Sequence, residues 1–296
     1  MRIKIGTRAS NLAMTQTIMV KDALEEKNPG LVCEIVTINT KGDIDLKSPI
    51  HKVGKGVFVR EIEDALLSGE IDLAVHSMKD MPSELTPGLM FFDPPKSSDP
   101  RDVLVMDKKI NSIDELKPGI IATGSLRRSL QIKSLRSDIE TVGIRGNIET
   151  RMSKVGSDNI MAVMLAYAGL LRAGYEDRVS YVFSIDEVIP SPCQGILAIQ
   201  GRADDDFVRS LVLSIRDEDT SKRMKIEREF QRVLDAGCHS PMGFYAELNG
   251  DKAILRGVFG DNARNLIIKK KRIVDYKEAV DAAAEMAMEL KSEVEQ

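Results

Sequence analysis

The strongest chemical signal in this chain of 296 residues is a basic stretch at residues 122–154. It holds seven basic and three acidic residues, whereas the whole chain carries a formal net charge of −4. Thr123-Gly124-Ser125 follows a short apolar run and precedes an amphipathic one, which predicts a strand, a glycine turn and a helix N-cap. Arg127 and Arg128 then fall in the first helical turn, where free backbone N–H groups and the helix dipole favour anions. Two cations in that place predict an anionic ligand.

A second strand-to-helix turn repeats this arrangement. Arg145-Gly146-Asn147 follows another apolar run, and Arg151 comes one helical turn later. A solvated basic face is the alternative to a binding site. Nucleic acid is disfavoured because residues 93–166 contain no aromatic side chain for base stacking and the sequence pI is about 5.6. No phosphate-binding glycine motif is present, so a ligand with several carboxylates is predicted, since arginine forks bind carboxylates in bidentate pairs.

Asp80 is the best-placed carboxylate for catalysis. It follows a predicted buried strand at residues 71–75, and ligands of open α/β sheets bind beyond the carboxyl ends of the strands. The alternative is that Asp80 only caps the turn before Pro82. A glycine-rich basic loop at residues 51–56 is a weaker signal, because Lys55 could close over an anion or the loop could be plain surface.

Cys238 is the cysteine whose setting indicates chemistry. It lies in a loop, Gly237-Cys238-His239-Ser240-Pro241, after a charged helix, which favours an exposed thiol able to form a covalent tether. Cys33 and Cys193 are expected in core or loop positions. No general base for a protease-type triad can be identified. With three histidines and no C-x-x-C motif, a metal site is not predicted.

Length and composition favour two or three domains in a cytoplasmic protein. A hydrophobic content of 43% is ample for buried cores. The chain opens without an apolar secretory segment and contains no apolar run long enough to span a bilayer, so we expect neither secretion nor a membrane partner. Three scattered cysteines do not make a disulfide framework. We therefore expect the reducing cytoplasm as its location.

The predicted elements form two α/β units and a small α+β unit. Strands alternate with helices, and this pattern restarts after a proline-bearing crossing at residues 97–102. It ends at Pro190-Ser191-Pro192, and the chain returns to an apolar run at residues 195–200. This course predicts a two-lobed, hinged body in which Asp80 and the second arginine cluster face each other across a cleft. The predicted strands are residues 2–5, 31–38, 71–75, 103–106, 120–122, 139–142, 160–165, 244–248, 253–259 and 266–273, and the predicted helices are residues 12–26, 58–67, 207–215, 220–234 and 276–291.

Seven short motifs occur in order along the chain. They are Gly6-Thr7-Arg8-Ala9-Ser10, Lys55-Gly56-Val57-Phe58, AVHSMKDMP at residues 74–82, Gly124-Ser125-Leu126-Arg127-Arg128, Arg145-Gly146-Asn147, Gln194-Gly195 and Gly237-Cys238. Together they resemble the porphobilinogen deaminase family, also called hydroxymethylbilane synthases, over nearly the whole chain. The resemblance implies an α/β fold of two hinged lobes like type II periplasmic binding proteins, plus a small C-terminal α+β domain. The implied domains are residues 1–96 with 195–216, residues 101–190, and residues 218–296.

The resemblance also implies the site residues. Cys238 would carry a dipyrromethane cofactor through a thioether, and Asp80 would be the catalytic carboxylate. The other implied cofactor-binding residues are Arg127, Arg128, Ser125, Lys79, Ser77 and Asp43. The implied substrate-binding residues are Arg8, Ser10, Arg145, Arg151, Gln194 and Lys55. No metal is implied.

The implied reaction joins four porphobilinogen molecules head to tail onto the tethered dipyrrole, with loss of ammonia at each addition, and then releases hydroxymethylbilane by hydrolysis. Asp80 would stabilise the positive charge that develops on the pyrrole nitrogens. The resemblance implies a monomeric transferase of tetrapyrrole biosynthesis with porphobilinogen as its partner. The alternative is a non-enzymatic polycarboxylate-binding or sensor protein of the same fold, which explains the arginines but neither Cys238 nor Asp80.

The chain departs from the common family pattern at three places. One glycine precedes Lys55 where many members have two. Cys193 stands before Gln194-Gly195 where glycine is commoner, and Ala236 stands where others have a further glycine before the cofactor cysteine. None of these changes removes a residue to which chemistry is assigned.

Overall fold

The structure, a computed structural model, describes residues 1–39, 59–234 and 241–296. Within these ranges the strands are β1 (Arg2–Thr7), β2 (Val32–Thr37), β3 (Leu73–Ser77), β4 (Leu89–Phe92), β5 (Asp102–Met106), β6 (Gly119–Ala122), β7 (Ile139–Val142), β8 (Ile160–Ala166), β9 (Tyr181–Val182), β10 (Leu197–Arg202), β11 (Gly243–Asn249), β12 (Lys252–Asp261) and β13 (Leu266–Asp275). The helices are α1 (Asn11–Lys27), α2 (Arg60–Leu67), α3 (Leu126–Leu135), α4 (Ile148–Met152), α5 (Tyr167–Ala173), α6 (Asp206–Leu213), α7 (Glu218–Leu234) and α8 (Ala279–Glu295).

Contacts divide the chain into two compact units. The first comprises Met1–Ser97 and Ile196–Met224, and the second comprises Ser98–Gly195 and Lys225–Gln296. The chain therefore leaves the first unit inside the proline-bearing segment that the sequence predicts as a crossing. The division into three domains, with its hinge and cleft, stays a prediction.

The first unit is built on a five-stranded mixed sheet with the order β2-β1-β3-β10-β4. β1 runs parallel to β2 and β3, whereas β10 runs antiparallel to β3 and β4. One cluster of core residues includes Val20 and Leu24 of α1, and a separate cluster includes Ile62 and Leu66 of α2. Because helices cover both faces, the central strand β3 is buried along nearly its whole length.

The second unit contains another five-stranded sheet, with the order β7-β6-β8-β5-β9. β6 lies between its parallel neighbours β7 and β8, and β5 runs antiparallel to β8. Two buried clusters cover this sheet, one around Ile121, Ile132 and Phe183 and the other around Val163 and Leu170. Helix α3 follows β6 directly, which confirms the strand–turn–helix unit predicted at the first arginine cluster.

The same unit holds an antiparallel three-stranded sheet, β11-β12-β13, packed on α7 and α8. Phe230 of α7 stacks on Phe244 of β11 with ring centroids 4.3 Å apart. The backbone of β12 lies close to α8, since a Cβ added at Gly257 would lie 2.7 Å from the sulfur of Met286. These elements confirm the small C-terminal α+β part that the sequence predicts.

The α/β fold class is confirmed, with two five-stranded sheets and the C-terminal α+β part. The sequence pattern does not predict β4 or β9, because runs of four and two residues show too little periodicity. β3 begins at Leu73, two residues later than predicted. The prediction started the strand too early because Ile71 is apolar and buried, although it lies before the strand. Within the described ranges, no helix is both long and apolar enough to cross a membrane.

Candidate active site

The carboxyl ends of β1 and β3 form the first part of the candidate site. The two strands are parallel neighbours with Ile5 opposite Leu73, so the residues after both strands lie at one edge of the sheet. Arg8 follows β1, and β3 leads into a 3₁₀ turn at Met78–Asp80. Asp80 is exposed, whereas the methionines on either side of Lys79-Asp80 are buried. The turn is therefore anchored in the core while its carboxylate stays accessible.

Two polar contacts position side chains at this edge. Ser10 is the N-cap of α1, and its Oγ accepts a hydrogen bond from the N–H of Ala13 at 3.4 Å. Ser77, the last residue of β3, accepts a hydrogen bond from Nε2 of Gln16 at 2.9 Å. Gln16 is buried and is not predicted as a site residue. The sequence feature that could have identified Gln16 is a polar side chain on the helix face that packs against the sheet.

His76 is a buried imidazole just before the Asp80 turn. Burial lowers the pKa of His76 to about 4, a hydrogen bond with Gln200 opposes this shift, and the charge of Arg8 adds to it. His76 is therefore neutral at physiological pH. The charged groups of the turn that follows are Lys79 and Asp80.

Arg127 and Arg128 occupy the first turn of α3, as predicted. Ser125 is the N-cap, and its Oγ accepts a hydrogen bond from the N–H of Arg128. Both guanidiniums bind one carboxylate inside the protein: Arg127 Nη1 lies 2.7 Å from Asp102 Oδ2, and Arg128 Nη2 lies 2.8 Å from Asp102 Oδ1. Gln194 Nε2 donates a further hydrogen bond to Oδ1 at 2.9 Å. We call Asp102, Arg127, Arg128 and Gln194 the Asp102 cluster.

The Asp102 cluster carries more positive than negative charge away from water. Asp102 is fully buried, and the two arginines are 3% and 6% exposed. Burial alone would raise the pKa of Asp102, but the charges of Arg127 and Arg128 hold it well below its usual range. One carboxylate cannot neutralise two guanidiniums, so the cluster can accept a further anion. The sequence prediction of an anionic ligand overlooks this internal partner, because Asp102 lies 25 residues away from Arg127.

The second predicted strand-to-helix turn is also present. Asn147 is the N-cap of α4, with its Oδ1 2.8 Å from the N–H of Thr150. Gly146 has a φ of 110°, which favours glycine, and its carbonyl oxygen accepts a hydrogen bond from Arg151 Nε at 2.7 Å. Arg145 is exposed and Arg151 is half-buried. The structure thus brings these two arginines to one turn, as the sequence predicts.

Arg172 is a cation of this unit that the sequence motifs do not reveal. It lies on α5, and its Nη2 donates a hydrogen bond to the carbonyl oxygen of Gly195. Its Nε is buried and has no hydrogen-bond partner within the described ranges. Burial lowers the pKa of Arg172 to about 10, and no nearby carboxylate of the described residues opposes that shift. A guanidinium whose Nε is buried without a described partner, and which is still charged at neutral pH, is suited to bind an anion. The sequence feature that could have identified Arg172 is an arginine within the apolar run that forms α5.

The structure places the predicted residues in two groups, one in each unit. The group at the edge of the first sheet consists of Arg8, Ser10, Ser77, Lys79 and Asp80. The group of the second unit consists of Ser125, Arg127, Arg128 and Gln194 around Asp102, with Arg145 and Arg151 at the next turn. Asp43, Lys55 and Cys238 lie outside the described residues. No group of potential metal ligands occurs in the part of the chain that the structure describes.

Two protein-family models match the chain. The model described as porphobilinogen deaminase, dipyromethane cofactor binding domain, matches residues 3–210, and the model described as porphobilinogen deaminase, C-terminal domain, matches residues 221–292. Among solved structures, the methionine-binding protein MetQ is 15% identical with a TM-score of 0.45, over 76% of this chain and 94% of that one.

Relatives with the same family name match at much higher identity. The porphobilinogen deaminase of Clostridioides difficile (strain 630) is 44% identical over 272 residues, which cover 91% of this chain and 90% of that protein. The porphobilinogen deaminase of Syntrophus aciditrophicus (strain SB) is 40% identical over 290 residues, which cover 97% of this chain and 94% of that protein. Because the family models span most of the chain and these relatives match it over at least nine-tenths of their length, the chain belongs to the porphobilinogen deaminase family.

Proposed function

We propose that this protein is a hydroxymethylbilane synthase, a transferase that joins four porphobilinogen molecules with loss of one ammonia at each addition and then releases the linear product by hydrolysis. The observation that carries the proposal is the Asp102 cluster, a buried site with more guanidinium than carboxylate charge, in a chain of the porphobilinogen deaminase family. Each porphobilinogen carries two carboxylates, which arginines bind in bidentate pairs. The family assignment favours this enzyme over a binding protein without catalysis.

The side chains around Asp102 fit a group that carries carboxylates, as the dipyrromethane cofactor of this family does. The surplus charge of the Asp102 cluster and the buried Nε of Arg172 would both be compensated by such a group. When bound, the cofactor supplies the pyrrole carbon to which the first porphobilinogen is joined. We propose that Cys238 attaches it and that Arg127, Arg128, Ser125, Lys79, Ser77 and Asp43 hold it.

Asp80 is proposed as the catalytic carboxylate. It is exposed on an anchored turn, and the neighbouring His76 is neutral, so no cationic imidazole competes for its charge. A carboxylate fixed at this place stabilises the positive charge that develops on the pyrrole nitrogens of the substrate as ammonia leaves. Electrostatic stabilisation of this kind is worth most when the group is already in place before the reaction.

The remaining polar residues are proposed to bind substrate. These are Arg8, Ser10, Arg145, Arg151, Gln194 and Lys55, to which the structure adds Arg172. Gln194 acts through Asp102, since its Nε2 donates to that carboxylate and to the carbonyl oxygen of Pro100. The monomeric state, the cytoplasmic location and the absence of nucleic-acid and membrane partners stay predictions.

The first prediction concerns the mass of the purified protein. We expect it to exceed the 32.8 kDa of the polypeptide by one dipyrromethane group, because a thiolate at Cys238 forms a stable thioether. Intact-mass spectrometry measures this. Cys238→Ser should lose both the adduct and most of the activity, whereas Cys33→Ser, at a buried cysteine, should keep both. Active protein with the mass of the bare polypeptide would contradict the tether.

The second prediction concerns Asp80. Asp80→Asn should still fold and carry the cofactor, but its turnover should fall by roughly 10²–10³-fold, the usual effect of removing a main electrostatic group. Asp80→Glu should keep part of the activity, because the charge remains but is displaced. Glu84→Gln, at an exposed carboxylate four residues further on, is the control. Turnover of Asp80→Asn close to that of Glu84→Gln would reduce Asp80 to a turn cap.

The third prediction separates two arginines by their partners. Arg172→Met should change the free energy of unfolding little, because it removes a half-buried charge that no described carboxylate pairs together with one hydrogen bond to Gly195, yet its turnover should fall. Arg127→Met should lose roughly 1.5–3 kcal/mol, the range for hydrogen bonds to charged groups, because Asp102 loses a partner. Urea denaturation and turnover assays measure both effects. If Arg172→Met loses as much stability as Arg127→Met and keeps full turnover, Arg172 is structural.

The fourth prediction concerns pH. The folded pKa of Asp102 lies below its unfolded value near 3.9, so its contribution to stability is fully present above that value and is lost as the pH falls through the folded pKa. Asp102→Asn should therefore be less stable than the wild type by roughly 3–5 kcal/mol at neutral pH, and this difference should shrink below about pH 4. Asp138→Asn, at an exposed partner of Arg136, should change stability little. A difference that grows on acidification would contradict the buried pairing.

A further inference from the structure

The linking segment, defined as residues 188–195, packs directly against the first strand of the three-stranded sheet. The N–H of Phe244 on β11 donates a hydrogen bond to the carbonyl oxygen of Pro190 at 2.8 Å. A Cβ added at Gly243 would lie 2.7 Å from the carbonyl oxygens of both Ile189 and Pro190. The backbone of β11 therefore has no freedom to move towards this segment.

Helix α3, which carries the buried arginines, holds the same segment. Gln131 exchanges two hydrogen bonds with the backbone of Ile189: its Nε2 lies 2.9 Å from the carbonyl oxygen, and its Oε1 lies 2.8 Å from the N–H. Arg127 Nη1 donates to the same carbonyl oxygen at 2.7 Å. Since Arg127 and Gln131 are one helical turn apart, both reach the segment from one face of α3. Arg127 thus binds Asp102 and the linking segment at once.

Two buried carboxylates hold the end of the linking segment. Asp102 accepts a hydrogen bond from Gln194, as described above. Glu227 of α7 is 1% exposed and accepts one hydrogen bond from the N–H of Cys193 and another, at 3.2 Å, from the N–H of Ala246 on β11. Glu227 therefore connects α7, β11 and the linking segment, whereas Asp102 connects that segment to the arginines.

The backbone of Cys193 is held against its local preference. Its φ is 59°, in the left-handed region that glycine adopts freely and other residues adopt at a cost. Its side chain is fully buried, and its N–H is the group that Glu227 binds. Such a conformation persists only where several surrounding contacts hold it, and conformations of this kind cluster at functional sites.

We propose that Glu227 is a positioning residue for the reaction: it sets the place of α7 and β11 relative to Arg127 and Arg128. The inference rests on the proposed function, because α7 and β11 are the described elements that flank the chain around Cys238. A pyrrole chain tethered at one point and held by fixed arginines reacts only when both are correctly placed. A displacement of about 1 Å can lower a rate on the order of 10²-fold. Glu227 acts through the backbone that it binds and touches no reacting atom.

Glu227→Leu and Glu227→Gln test this role in the full-length protein. Cofactor loading is followed by intact mass, and kcat and KM are measured with porphobilinogen. We expect Glu227→Leu to load the cofactor and to lose about 10-fold or more in kcat, with KM little changed, because the reacting groups are misplaced and not removed. Glu227→Gln keeps one acceptor oxygen and should fall between Glu227→Leu and the wild type.

Glu229→Gln is the matched control. Glu229 lies on the same helix and pairs with Arg232 at the surface, so the substitution removes a carboxylate without touching the linking segment. It should have the kcat of the wild type. If Glu227→Leu does not fold, the comparison of Glu227→Gln with Glu229→Gln decides the question. Equal kcat values for those two variants would overturn the proposal.

The failure of this inference can be told from the failure of the proposed function. If the wild type carries no adduct and does not consume porphobilinogen, the proposed function is wrong and the role of Glu227 falls with it. If the wild type is loaded and active while both Glu227 variants keep its kcat, only the role of Glu227 is wrong.

Discussion

The carboxylate of Asp102, buried between two guanidiniums, is the interaction on which the second unit depends. A carboxylate without exposure is costly to desolvate, and one arginine would balance its charge. The chain supplies two, from consecutive positions in the first turn of α3, and places Asp102 at the first residue of β5. The cluster therefore holds α3 to the sheet through β5 and has one positive charge more than its carboxylate neutralises. The same unequal pairing thus serves the structure and the proposed binding of an anionic group.

In the proposed function, positive charge is kept where carboxylates are to be bound and removed where a carboxylate has to act. Arg172 keeps a half-buried charge without a described carboxylate beside it, which favours an anion. His76 does the opposite, because burial makes it neutral next to the Asp80 turn. Functional sites commonly lower stability in exchange for function, and both groups lie beside proposed site residues.

The local parts of this structure could be predicted from the sequence, whereas the contacts between distant residues could not. Most strands and helices follow from periodicity, and the N-caps Ser125 and Asn147 follow from the residues on either side of them. The pairing of Asp102 with Arg127 spans 25 residues, and its pairing with Gln194 spans 92. No spacing rule connects such positions, so the internal partner of the arginines appears only in the fold. The chemical roles come from motifs, because periodicity carries no information about them.

Burial divides the arginines into two groups with different physical duties. Arg127 and Arg128 are balanced in part by Asp102 whatever else is bound, so they can stay buried throughout the reaction. Arg145 is exposed and Arg151 half-buried, so water can stabilise their charges while no carboxylate is present. In the proposed reaction the growing chain gains two carboxylates with each ring, whereas its tethered part carries a constant charge. A constant charge suits the buried pair and a changing charge suits the solvated pair, which is the physical reason to assign the cofactor to the first group and the incoming rings to the second.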